Sequence, residues 1–209
     1  MAKTLNTVSN LAYLAVAVYA AFAGLWAVVV GFVVLAGGSW WMHATPRVLY
    51  ADRERDPEGR ARWLRALWAD HVGMACAFAP LASALAARTF GLPLGWALAL
   101  GAALAGAFVV AWRTMPNQSG STAGLALCGA VGLSSLVAAW LMGHVGFWDG
   151  PFGVSALFAF SFVFNGGHVA KSSEGTAVAA HGLWHVLSAF AAGYAVYVSG
   201  VIVGARVLP

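Results

Sequence analysis

The chain has 209 residues, 61% of them hydrophobic and 9% charged, with a mean hydropathy of +0.80. That balance excludes a soluble globular domain and places the protein in the membrane class. The formal net charge of +4 comes from arginines in polar connections, with no basic patch interleaved with aromatics, so nucleic acid is excluded as a partner.

Polar punctuation divides residues 1–209 into one domain of seven apolar spans. Each is expected to be a helix, because lipid obliges the backbone to satisfy its own hydrogen bonds, and a crossing takes ~20 residues. The first two, 6–22 and 24–50, are separated by a tight turn near Ala20 to Gly24. No cleavage-site pattern follows the first, which reads as a retained helix rather than a signal peptide. The stretch "RVLYADRERDPEGRARWLR" (47–65) reads as a hydrophilic loop with Pro57 and Gly59 as breakers. A third helix over 64–87 is followed by the turn "RTFGLP", and a fourth over 92–113 ends before "MPNQSGS". The fifth covers 121–143, and "GFWDGP" separates it from the sixth, 151–167. The connection "GGHVAKSSEG" then leads into the seventh, 176–205. Cys76 and Cys128 lie inside apolar runs and read as reduced packing residues. The fold class is therefore all-α, a polytopic seven-transmembrane helix bundle.

Seven crossings sort the basic residues by face. Lys3, Arg47, Arg53, Arg55, Arg60, Arg62, Arg65, Arg113 and Lys171 share the face of the N-terminus, whereas only Arg88 and Arg206 belong to the other. The positive-inside rule makes the N-terminus cytoplasmic and the C-terminus external. The same arginines could also attract anionic lipid headgroups.

Of the acids, only Asp70 falls at membrane depth, where an ionisable group is costly and marks a functional site by default. His144 and His168 sit at helix ends, and His71 projects about 100° around its helix from Asp70. His43, Asp70 and His181 each lie roughly 6–8 Å below the N-terminal face, at 1.5 Å per residue from its polar boundary. His181 and His185 are i, i+4 on the seventh helix, as Ser39 and His43 are on the second. Three helices thus present a serine, an aspartate and three histidines at one level.

Three imidazoles with one open position suit a catalytic zinc, which would make a bound water acidic enough to attack at neutral pH. The residues inside HGLWH (181–185) offer no base, so Asp70 is the available acid, and Ser39 could donate to a developing oxyanion. Taken alone, HxxxH or Ser39 reads as helix packing, and Asp70 as part of a proton relay. A bis-histidine haem would leave Ser39 and Asp70 unexplained, and retinal lacks a lysine on the seventh helix.

The set S-W-W-M-H (39–43), Asp70 and H-G-L-W-H (181–185) closely resembles the signature of the CREST superfamily, seven-helix membrane proteins that include alkaline ceramidases, progestin and adipoQ receptors and hemolysin III-like proteins. The resemblance implies an intramembrane zinc held by His43, His181 and His185, with Ser39 and Asp70 at its water, and hydrolysis of lipid amides such as ceramide. "LNTVSNLAY" (5–13) is similar to the start of alkaline ceramidases, but no acidic calcium-binding cluster precedes it. "ADHVGMACAFAPL" (69–81) is closer to the receptor and hemolysin III branch. The expectation is a small bacterial member in the cytoplasmic membrane, a zinc-dependent hydrolase of a lipid amide or ester. The alternative is a receptor-like or regulatory protein with a structural zinc.

Overall fold

The computed structural model describes residues 8–45, 56–115, 119–164 and 174–207. Within them the chain forms α1 (Leu11–Phe22), α2 (Trp26–Ala44), α3 (Pro57–Phe90), α4 (Leu94–Thr114), α5 (Ser119–Leu141), a π-helical turn (Trp148–Phe152) running into α6 (Gly153–Val163), and α7 (Glu174–Val207). Five of these, α2 to α5 and α7, are long and apolar enough to cross a bilayer. Their outward faces are apolar too: Phe22, Trp26, Leu94, Trp96 and Phe190 are each more than 60% exposed. Such a surface is tolerable in hydrocarbon and not in water, and the chain is an integral membrane protein.

The helix boundaries follow local chemistry. Between α1 and α2 the turn falls at Ala23 to Leu25, where Gly24 takes a φ of +70° that a side chain would disfavour. The largest departure from expectation is at α3, which starts at Pro57 instead of inside residues 64–87. Pro57 does not break a loop here. It opens the helix at a position where no backbone N–H is needed, and the Asp56 carboxylate caps it by accepting from Gly59 N–H at 2.8 Å. At 34 residues α3 is about 51 Å long, well beyond the ~30 Å hydrocarbon core, so its charged first turns stand outside the bilayer. The expected sixth span, 151–167, appears as the π-helical turn and the short α6; its last residues, with His168, lie outside the described residues.

Helix α3 is the hub, packing on α2, α4, α5 and α7, while α7 packs on α6 and on α1 and so closes the bundle. The α2–α3 seam is built from backbone rather than side chains. A Cβ at Gly38 would stand 2.5 Å from the Ala69 carbonyl oxygen, and one at Gly73 would stand 2.7 Å from Leu35 Cα. Small residues at such positions let helices approach closely in lipid, and here the approach sets Ser39 beside Asp70. Gly38→Ala should therefore lower thermal stability by about 1–3 kcal/mol through overpacking. Unchanged melting of the detergent-purified variant would mean that the seam has slack.

At the opposite end of the bundle, Arg88 fastens three elements. Its guanidinium donates to the Ala23 carbonyl at 2.7 Å and to Ser199 Oγ at 3.1 Å, joining the α1–α2 turn to α3 and α7. A charged donor is satisfied at a helix end, where carbonyls lack intrahelical partners.

Candidate metal centre

Helix α2 ends on "SWWMHA", which puts Ser39 and His43 one turn apart on one face, with Ser39 buried and His43 partly buried. Helix α7 supplies His181 and His185 from a single face, also one turn apart. The two faces meet. His43 Nε2 lies 3.3 Å from His181 Nε2, and the His185 ring is 5.0 Å from His43 and 4.6 Å from His181, centroid to centroid. One nitrogen from each of the three falls within 4.8 Å of the others, so these histidines could hold a metal ion.

The segment leading into α1, with α1 itself, buttresses this cluster. Ser9 Oγ is 3.0 Å from His185 Nδ1, the Tyr13 hydroxyl is 2.9 Å from Ser188 Oγ, and Ser188 Oγ–H donates back to the His185 carbonyl. The Ser9 contact at Nδ1 is of the kind by which an outer hydrogen bond fixes the tautomer of a ligating imidazole. Spacing made this support accessible from sequence: Ser9 and Tyr13 are i, i+4, two polar groups on one face of an apolar helix, but sequence reasoning gave neither a role.

Asp70 does not join the imidazole cluster as a fourth member. It sits on α3 next to the Gly38 contact, where the Ser39 hydroxyl hydrogen-bonds its carboxylate, and it lies within electrostatic reach of Tyr13. His71 faces elsewhere, as its position on the helix requires: buried, its Nδ1 2.7 Å from the Leu67 carbonyl, and stacked on Trp112 at 5.2 Å. His144 lies just past α5, with a buried Nδ1 that has no partner among the described residues.

The meeting of His43 with His181 also constrains the path of the chain. His43 ends α2 and His181 lies near the start of α7, so the chain traverses the bundle an even number of times between them. Of the described helices between them, α3, α4 and α5 are long and apolar enough to cross a bilayer, and the π-helical turn with α6 follows.

Beside the cluster, between α3, α5, α6 and α7, lies a cavity of about 490 Å³, walled mostly by aliphatic and aromatic groups such as Phe78, Leu85, Leu136 and Phe158. Its walls include Trp184 and Ser188, which flank His185 in the sequence. The Trp184 ring is 5.2 Å from His181 and 5.3 Å from His185, and its buried Nε1–H has no partner among the described residues.

These features define an integral membrane helix bundle with a cluster of three histidines and a neighbouring apolar cavity that shares the wall residues Trp184 and Ser188 with the helix bearing His181 and His185. No protein-family model, curated protein or solved structure matches the chain.

Proposed function

We propose that this chain is a zinc-dependent intramembrane hydrolase of a lipid amide or ester, ceramidase-like and belonging to the CREST superfamily, with seven crossings and a cytoplasmic N-terminus. The observation that carries the reading is the conjunction of three convergent imidazoles with a Ser39–Asp70 pair and an apolar cavity. The donor set suits zinc. Two nitrogens of a tetrahedral site, each about 2.0–2.1 Å from the metal, stand about 3.3–3.4 Å apart, against 3.3 Å between His43 Nε2 and His181 Nε2. When bound, zinc supplies Lewis acidity to the substrate carbonyl and to the attacking water.

The chain's own residues supply the rest. The cavity takes the acyl chain; its about 490 Å³ lies within the ~300–1,000 Å³ range of small-molecule sites. Asp70 accepts a proton from the attacking water and returns it to the leaving amine or alcohol. Ser39 has a single hydroxyl proton, and with that proton engaged by Asp70 its part is to hold the carboxylate in place. The carbonyl oxygen then needs another donor. We assign that part to Trp184, a residue of the cavity wall next to the histidines, whose buried Nε1–H has no partner among the described residues.

The test is fatty-acid release by the detergent-purified chain from ceramides, other N-acyl lipids and acyl esters. Release that disappears on chelation and returns with zinc supports the reading. Zinc-loaded protein that hydrolyses none of them, yet melts lower when chelated, supports instead a receptor-like protein in which the metal ties α2 to α7.

A further inference from the structure

A second concavity lies between the start of α3 and the end of α4, and none of the three convergent histidines lines it. It measures about 450 Å³ and is walled by Leu64, Arg65, Leu67 and Trp68 of α3 and by Trp112 and Arg113 of α4. Among the described residues no carboxylate lines it and neither guanidinium makes a hydrogen bond or an ion pair; both arginines are exposed. Two guanidiniums lining one hollow repel each other, so the arrangement favours an anion between them.

The walls say which anion. Trp112 is held in place by stacking on buried His71, whose Nδ1 is fixed at 2.7 Å from the Leu67 carbonyl, so that wall is preformed. Trp68 and Leu64 are 43% and 44% exposed and present apolar surface next to the guanidiniums. Tryptophan favours the headgroup level of a bilayer, and the guanidinium fork matches the oxygens of a phosphate in two parallel hydrogen bonds. The position along the chain agrees, since Arg65 follows the charged turns at the start of α3 and Arg113 lies in the last turn of α4. We propose that this hollow binds the phosphodiester headgroup of an anionic phospholipid, with Arg65 and Arg113 on the phosphate and Trp68, Trp112 and Leu64 against the glycerol and upper acyl chains. A free phosphate ion offers the same charge but nothing for the apolar walls. The site is independent of the hydrolase reading and does not use the metal centre.

Native mass spectrometry of the full chain, titrated with phosphatidylglycerol, phosphatidylcholine or inorganic phosphate, tests it against Arg65→Gln/Arg113→Gln. The wild type should bind phosphatidylglycerol roughly thirtyfold more tightly than the double variant, from about 1 kcal/mol per arginine. Phosphatidylcholine, whose choline ammonium offsets the charge of the same phosphodiester, should bind the wild type more weakly than phosphatidylglycerol and lose less on substitution, and millimolar inorganic phosphate should not displace the lipid. Exposed side chains at both positions make misfolding an unexpected outcome. Should it occur, the single Arg113→Gln variant reads the same difference at about fivefold. Equal phosphatidylglycerol binding by wild type and variant would overturn the proposal. So would displacement by inorganic phosphate, which would reassign the hollow to the free ion.

Discussion

Asp70→Asn should leave the metal content of the purified chain unchanged while lowering lipid hydrolysis by about 10²–10⁴-fold, the usual contribution of a positioned general base. The substitution isolates chemistry from structure. Asparagine keeps the size of the side chain and its carbonyl oxygen still accepts from the Ser39 hydroxyl, so the α2–α3 seam around Gly38 is undisturbed. What it removes is the ability to take a proton. Asp70 is not among the three convergent histidines, so metal binding should persist. An Asp70→Asn variant as active as the wild type would take Asp70 out of the reaction, and one that lost its metal would make it a ligand instead.

Ser9→Ala is the second large effect, and it falls on the metal rather than on turnover. Ser9 reaches His185 Nδ1 at 3.0 Å from a different helix, and removing such an outer hydrogen bond commonly costs 10–100-fold in metal affinity. Competition of purified protein against a zinc chelator of known affinity measures it directly. Tyr13→Phe serves as the comparison. It deletes the 2.9 Å bond to Ser188 without touching an imidazole nitrogen, and should cost about 1 kcal/mol of stability and little metal affinity. Equal affinity in Ser9→Ala and wild type would mean that contacts other than the Ser9 hydroxyl orient His185.

These two residues also mark the limit of what was legible from the chain alone. His43, His181 and His185 could be brought together on paper because lipid forces helices, helices fix rise and facing, and depth below a polar boundary then aligns residues far apart in sequence. The same reasoning placed Asp70 near Ser39. It did not see that glycines at the α2–α3 seam press the two backbones together. Ser9 was missed because a serine near a helix start is common, and only its i, i+4 partner Tyr13 distinguishes it. The early start of α3 was missed for a different reason. Its first turns lie outside the bilayer and carry no apolar stripe, although the Asp56–Pro57 pair is a start signal that capping chemistry makes readable. The cavity and the Arg65–Arg113 hollow depend on which helices become neighbours, and no single span encodes that.

Elemental mass spectrometry of the detergent-purified chain, beside His181→Ala/His185→Ala, bears most directly on the metal centre. The account predicts about one zinc per wild-type chain and none held by a variant that removes two of the three ligands. Well-folded wild-type protein without zinc, still unable to take it up from solution, would contradict the account and reduce HGLWH to a contact between helices.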